Sequence, residues 1–319
     1  MKKIAYIIGY FLVYLLIASC SNCKFYKMKE KKTGWEVAGL KGKVKEVKIF
    51  DAPKKQAYSI LKFDIKGNLI EDFFLEANRY IYSYDDNGNN IKKYCYNSNG
   101  ELSWTDSLKY DNNENLLEVW RIDNQGKSSL LTSYKYDNCG NITEEIHFAS
   151  DTCKLIFDYD EKGNNIKICK FNSDNIMEFK TTYMYDNKGN EIEECEYDSE
   201  GRLYLKMTTK YDGNGNETEK CCYGPDGLLD TKEIYIYDDK GNMVEFCRKE
   251  SGEKRYWKRI CKFDEKGYNI EVFTYNVDGK LEERRINKFD KQGNRTEKIE
   301  TTKDEVNRTI IEYDYYEDH

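Results

Sequence analysis

The chain has 319 residues, of which 34% are charged and 14% are aromatic, and 28 residues are tyrosine. Its mean hydropathy of -0.87 means that folding depends on concentrating the Tyr, Ile, Leu and Phe side chains on particular faces. The 51 basic and 58 acidic residues give a net charge of -7, which disfavours nucleic acid as a partner because phosphate backbones attract positive charge.

Residues 1–19 are predicted to be a signal peptide. Two lysines precede the apolar stretch Ile4–Ala18, which is short for a membrane-spanning helix and lacks a basic flank after it. The stretch runs into Ile17-Ala18-Ser19-Cys20, which resembles the bacterial lipobox, and this resemblance implies that Cys20 is lipidated and becomes the first mature residue. An uncleaved anchor or an ordinary signal peptide is the alternative. By resemblance to proteobacterial sorting, Ser21 favours an outer-membrane lipoprotein of the bacterial cell envelope that faces the periplasm.

The segments that follow divide the mature chain into three parts. Residues 20–40 are Lys-rich and without periodicity, which predicts a tether between the lipid and the folded body. Residues 41–62 are predicted to form an N-terminal cap with a strand, and 63–319 to form one repeat domain. Removal of the two lysines of the signal leaves 49 basic against 58 acidic residues, so the mature chain carries about -9. That charge suits a body held away from an anionic membrane.

An aromatic-Asp pair recurs along the repeat domain. The intervals between successive pairs are 21, 26, 26, 23, 26, 26, 26, 26, 26 and 24 residues, and this self-similarity identifies an array. The aromatic residues of the pairs are Phe63, Tyr84, Tyr110, Tyr136, Tyr159, Tyr185, Tyr211, Tyr237, Phe263, Phe289 and Tyr313.

Each 26-residue unit contains two turns, which divide it into halves of 12 and 14 residues. The first turn reads aromatic-Asp-x-x-Gly-Asn and the second resembles Tyr197–Leu203, "YDSEGRL". The Asp is predicted to accept hydrogen bonds from backbone N–H groups of the turn, and the Gly to take the left-handed conformation. The seven to nine residues between turns are rich in Tyr, Ile, Thr and Val, as strands are. The predicted fold is therefore all-β: a long antiparallel meander of about twenty strands, coiled or wound into a repeat sheet or solenoid.

The repeat resembles the YD repeats of the RHS family and of their short lipoprotein relatives in Bacteroidetes. The resemblance rests on "YDNKGNEIEECEYDSEGRL" and "YDDKGNMVEF" and covers residues 63–316. In large RHS proteins such strands wind into a shell around a toxin domain, so the resemblance implies an architecture and leaves the activity open.

Two recurring side chains and one turn pattern are candidates for chemistry. Glu recurs eight residues after the repeat aromatic, for example at Glu193 and Glu219, and we interpret this ladder as strand-face charge paired with the Lys that precedes many of those aromatics. Cys recurs every 26 residues from Cys169 to Cys247, a spacing too wide for direct bridges between equivalent positions. Asp and Asn at alternate turn positions permit calcium but lack the remaining EF-hand ligands. We predict no metal, no cofactor and no catalytic residues.

The aromatic side chains are the remaining candidates for a binding site. Tyr and Trp could stack on sugar rings, although the same residues also form ordinary sheet cores. We expect a non-enzymatic, lipid-anchored protein whose extended β surface binds another macromolecule. The alternatives are a carbohydrate-binding module and a toxin-neutralising, immunity-like lipoprotein. The partners expected are the membrane, through Cys20, and an unknown protein or glycan. The candidate binding residues are Tyr136, Tyr185, Tyr211, Tyr237, Trp104, Trp120 and Trp257.

Overall fold

The computed structural model describes residues 32–52, 56–148, 152–252 and 256–317. The predicted signal peptide, the lipidation site Cys20 and most of the tether lie outside the described residues. A short helix, α1, spans Gly34–Val37, and antiparallel strands follow it. The strands are β1 Val44–Asp51, β2 Ser59–Phe63, β3 Leu69–Phe74, β4 Arg79–Tyr84, β5 Asn90–Tyr96, β6 Leu102–Tyr110, β7 Leu116–Asp123, β8 Ser128–Tyr136, β9 Ile142–His147, β10 Cys153–Tyr159, β11 Asn165–Phe171, β12 Met177–Tyr185, β13 Glu191–Asp198, β14 Leu203–Tyr211, β15 Glu217–Tyr223, β16 Leu229–Tyr237, β17 Met243–Glu250, β18 Trp257–Phe263, β19 Asn269–Tyr275, β20 Leu281–Phe289, β21 Arg295–Thr302 and β22 Val306–Tyr315.

The sheet is closed, so the prediction of a meander coiled or wound into a repeat sheet or solenoid is wrong. Each strand pairs with the next along the chain, as predicted, but β1 also pairs with β22 in a register that runs from Val44↔Tyr315 to Asp51↔Thr309. The 22 strands thus form a β-barrel. The physical reason is that both edges of an open meander expose unpaired N–H and C=O groups, and pairing the first strand with the last satisfies them.

The seam between the first and last strands is also the main apolar core. Val44, Val47, Leu61 and Phe63 are buried together. Trp35 of α1 packs on this cluster, and its backbone N–H donates to the carbonyl of Gly67. The seam is therefore sealed by side chains as well as by backbone hydrogen bonds. Partly buried residues packed against the cluster are Ala38, Leu40, Ile49, Leu69, Ile311, Tyr313 and Tyr315.

The turn chemistry predicted from the repeat is confirmed. In the turn after Tyr185, the carboxylate Oδ1 of Asp186 accepts from the backbone N–H groups of Lys188 and Asn190, and its Oδ2 accepts from the Asn190 amide at 2.9 Å. Gly189 has φ +82°, a left-handed conformation that favours glycine. The same Asp–Asn side-chain bond occurs in eight turns, at Asp64, Asp85, Asp111, Asp137, Asp160, Asp186, Asp212 and Asp238.

Because successive hairpins of an antiparallel meander alternate between the two ends of the strands, each kind of turn lies at one end of the barrel. The aspartate rim is the end formed by the ten turns from residues 64–68 to 290–294. The apolar rim is the opposite end, formed by the second turns, from the β5–β6 hairpin to the β21–β22 hairpin. The described chain begins at the aspartate rim, because Trp35 contacts Gly67 and the Lys41 N–H donates to Asn294 Oδ1 there.

The two faces of the sheet differ in composition. The tyrosine face carries the repeat aromatics, and in β14 it includes Leu205, Met207 and Tyr211. The glutamate face carries the recurring glutamates, and in β14 it includes Lys206 and Lys210, which pair with glutamates of β13 and β15. This is the alternation predicted for β14 from the sequence.

Candidate functional site

The repeat tyrosines direct their hydroxyls into the sheet. Tyr136 donates to the carbonyl of Leu116 at 2.8 Å, Tyr185 to that of Asn165 at 2.8 Å, and Tyr211 to that of Glu191 at 2.7 Å. Each bond ties a strand end to the unit before it. Tyr84, Tyr110, Tyr159 and Tyr313 make the equivalent bond.

Burial raises the pKa of these phenols. It brings the pKa of Tyr136 and that of Tyr211 to about 12, and desolvation also raises the pKa of Tyr237. These candidate binding residues are half-buried in the structure. Their rings and hydroxyls therefore contribute to packing between units.

Phe289 lacks the hydroxyl, and a neighbouring side chain replaces it. The Nδ2 of Asn287 donates to the carbonyl of Asn269 at 3.0 Å. Asn269 lies twenty residues before Phe289, as Glu191 lies before Tyr211. In this unit, therefore, an asparagine side chain donates to the backbone carbonyl that a tyrosine hydroxyl contacts in other units.

On the glutamate face, most of the recurring glutamates contact a cation, and several lie between two. Glu219 contacts Lys210 at 2.8 Å and Lys232 at 2.7 Å, and these hydrogen bonds lower its pKa to about 2. Glu271 and Glu297 are placed in the same way between a lysine and an arginine. The interpretation of the Glu ladder as paired strand-face charge is confirmed.

The cysteine ladder forms no bridges among the described residues. Cys169, Cys195, Cys221 and Cys247 are free thiols. Burial, with a hydrogen bond to Glu193, raises the pKa of Cys195. The described cysteines outside the ladder are also free: Cys95, Cys139, Cys153, Cys222 and Cys261.

The three candidate tryptophans lie in different surroundings. Trp120 is on the glutamate face, where its Nε1–H donates to Glu118 at 2.6 Å. Trp257 is on the tyrosine face, edge-on to Phe246 with the ring centroids 5.7 Å apart. The ring of Trp104 is covered by the guanidinium of Arg121 at 3.7 Å. The sequence candidates are therefore spread over both faces and do not form one platform.

A charged cluster on the tyrosine face of β3–β7 was not predicted from the sequence. Arg121 binds Asp106 through two hydrogen bonds, at 2.7 and 2.9 Å. Beside them the ammonium of Lys93 lies 4.4 Å from the ring centre of Tyr80 and 5.7 Å from that of Trp104. The cluster could have been found in the sequence from the fact that these residues do not recur at the repeat spacing.

Asp72 is the most buried member of this cluster. It is 2% exposed, and its Oδ1 has no hydrogen-bond partner among the described residues. Burial raises the pKa of Asp72 to about 7, against a lowering by the charge of Lys93. The pKa of Lys93 is lowered, mainly by burial. The cluster therefore holds two titratable groups whose charged forms are both disfavoured by desolvation.

The apolar rim carries exposed apolar side chains in every hairpin from β5–β6 to β21–β22. Tyr204 is 64% exposed and Leu228 66% exposed. The aspartate rim carries fewer such side chains over its ten hairpins: Ile65, Ile166, Met184, Ile236 and Ile270. Exposed large apolar residues of the apolar rim are Leu102, Ile122, Phe148, Ile176, Phe179, Tyr204, Leu228, Leu229, Tyr256, Val277, Leu281 and Val306.

No group of three or more His, Cys, Asp or Glu side chains within the described ranges could hold a metal ion. Within those ranges there is likewise no helix of sufficient length and apolarity to span a membrane.

The comparisons with known proteins identify no family. No protein-family profile matches the chain, and no curated protein sequence matches it. A crystal structure of TcdB2-TccC3 is similar over 80% of this chain at 12% identity with a TM-score of 0.40, and the chain spans 17% of the length of that protein. A porin-like protein from Bacteroides uniformis is similar over 85% of this chain and 96% of its own at 8% identity, with a TM-score of 0.33. For a porin-like protein from Bacteroides vulgatus the shares are 85% and 98%, the identity 9% and the TM-score 0.26.

Proposed function

We propose that this chain is a non-enzymatic, lipid-anchored protein of the bacterial envelope that binds another protein through its apolar rim. The observation that carries the proposal is the exposure of large apolar side chains in all nine hairpins from β5–β6 to β21–β22. A concentration of exposed apolar side chains at one part of a protein surface is typical of protein-binding sites. The YD-repeat resemblance supports the envelope setting but not the identity of the partner.

The position of the chain's first described residues supports an orientation for this protein. Those residues pack at the aspartate rim, through Trp35 and Lys41. A lipid on Cys20 would therefore hold the aspartate rim toward the membrane and direct the apolar rim away from it. Charged side chains on both faces, such as the Glu219 pairs and Arg121–Asp106, favour water on both sides of the sheet.

The rim is tested by adding charge at two of its most exposed positions. We expect Tyr204→Lys together with Leu228→Lys to remove the protein partner that the wild-type chain captures from detergent-solubilised envelope. Ile65→Lys with Met184→Lys is the matched control, because those side chains are 58% and 56% exposed at the other rim. The captured protein is identified by mass spectrometry, purified and tested for direct binding. Equal binding by both double variants would contradict the proposal.

The anchor is tested separately. We expect the Cys20→Ala variant to leave the membrane fraction and the wild-type mature N-terminus to carry lipid by mass spectrometry. An unmodified Cys20 in the mature chain would contradict lipidation and leave the rim proposal standing.

A further inference from the structure

A shallow cleft of about 410 Å³, largely open to solvent, lies at the aspartate rim between the turns that follow β18 and β20. Tyr268 and Phe289 lie along it with their rings stacked, 5.0 Å between centroids and 20° between planes. Asp264 and Asn287 also line it. The cleft is built where the array departs from its own pattern.

The first departure is Tyr268, which stands where the other nine turns have Asn. In eight of those turns the Asn amide donates to Oδ2 of the turn Asp. Asp264 keeps the two backbone bonds to its Oδ1, from Lys266 and Tyr268. Its Oδ2 has lost the amide donor, and no other donor contacts it within the described residues. The carboxylate therefore has an open acceptor at the cleft.

The second departure is Asn287, which stands two residues before the repeat aromatic. Its Nδ2 is used in the bond to the Asn269 carbonyl. Its Oδ1 has no partner among the described residues, although the side chain is only 8% exposed. A buried acceptor without a donor is destabilising, so a ligand donor at this position would be favoured.

The charges around the cleft favour a cation over an anion. Both groups that lack a donor are acceptors, and one of them is anionic. Lys288 is paired with Glu297 at 2.7 Å, a carboxylate that it shares with Arg308, and the exposed Lys266 is flanked by the exposed Glu265. The aromatic pair adds ring faces, which attract cations.

The same face already holds an ammonium group in this way elsewhere. Lys93 lies 4.4 Å from the ring centre of Tyr80 and 5.6 Å from that of Tyr82, with the carboxylates of Asp72 and Asp106 nearby. At the cleft the aromatic rings, the carboxylate and a second acceptor are present, and the ammonium is the missing component.

We propose that this cleft binds a primary alkylammonium group, with Asp264 Oδ2 and Asn287 Oδ1 accepting its N–H groups beside Tyr268 and Phe289. The group belongs either to a free amine or to a lysine side chain of another protein. The site is independent of the apolar rim, which lies at the other end of the barrel.

The test is a titration of the isotopically labelled full chain with n-butylammonium, followed through the backbone amide shifts of residues 264–268 and 287–290. We expect saturable shifts in the wild-type protein. Asp264→Asn removes the charge but preserves the turn, since Asn276 makes the same backbone bonds in its own turn. We expect it to weaken binding at least about tenfold, the loss of one charge-assisted hydrogen bond. Tyr268→Asn restores the Asn amide to Oδ2 and should abolish binding while the chain stays folded.

The matched control is Asp238→Asn, which makes the same charge change one unit earlier, in a turn closed by Asn242. It should bind as the wild type does. A blocked lysine peptide that binds more tightly than butylammonium assigns the group to a protein, and equal affinity assigns it to a free amine. Absence of saturable shifts, unchanged binding by Asp264→Asn, or equally tight binding of methyl glucoside would overturn the proposal.

Discussion

The contribution of a tyrosine hydroxyl bond between units to stability can be measured with a Tyr→Phe substitution. The protein itself has Phe at one equivalent position, Phe289. Tyr211→Phe removes the 2.7 Å bond to the Glu191 carbonyl and keeps the ring. Because the site is half-buried, we expect the free energy of unfolding to fall by about 1 kcal/mol, the net contribution of one such bond. With a urea m-value of about 2–3 kcal/mol/M, the unfolding midpoint would fall by about 0.3–0.5 M.

Phe289 and Asn287 supply the compensating change. Thr209 stands two residues before Tyr211, as Asn287 stands before Phe289. We expect the Thr209→Asn/Tyr211→Phe double variant to recover most of the loss, because the Asn amide can donate to the Glu191 carbonyl as Asn287 does to that of Asn269. The single Thr209→Asn variant completes the cycle. A double variant that is as unstable as the sum of the two singles would refute the reasoning.

Three further predictions follow from backbone conformation and burial. Glu114 has φ +65° at the Gly position of its turn, so Glu114→Gly should raise the free energy of unfolding by about 1 kcal/mol, and an unchanged urea midpoint would contradict this. Gly67→Ala should lower the free energy of unfolding more than Gly189→Ala does. An added Cβ at Gly67 would lie 2.6 Å from the Trp35 ring, whereas at Gly189 it would meet nothing within 4 Å. Equal losses would show that α1 does not depend on this contact. The pKa of Asp72 is raised from 3.8 to about 7 in the folded protein, so between those pH values the folded state keeps a proton that the unfolded chain releases. The stability that this proton contributes is lost as pH rises through that window, by at most about 4 kcal/mol. Asp72→Asn should therefore flatten the dependence of the urea midpoint on pH between 4 and 7. An unaltered slope would show that groups other than Asp72 cause the pH dependence.

The repeat pattern predicts local structure well because its determinants are local. The Asp, Gly and Asn of a turn such as 186–190 form hydrogen bonds within that turn, and the Glu219 pairs join neighbouring strands. Both features could therefore be deduced from spacing alone.

Closure could not be predicted in this way. It depends on β1, which lies outside the repeat, and on its register with β22 more than 250 residues away. The sequence of β1, with Val44 and Val47, is equally compatible with a cap on an open sheet.

The two proposed binding surfaces could not be predicted from the sequence for a related reason. The apolar rim is formed by single residues, such as Tyr204 and Leu228, that are unremarkable until every second turn is placed at one end. The cleft is formed by departures from the pattern, at Tyr268 and Asn287, which the consensus of the repeat does not contain.

The most direct test of the closed barrel, which places the two rims at opposite ends, is a cross-link across its seam. Lys48 and Glu312 are cross-strand partners in β1 and β22. We expect the Lys48→Cys/Glu312→Cys variant to form an intramolecular disulfide on oxidation, detected by mass spectrometry of the linked peptides. The Lys48→Cys/Lys210→Cys variant, whose strands do not pair, should form none. Failure of the seam pair to cross-link in the folded monomer would contradict closure, and with it the arrangement of the two rims.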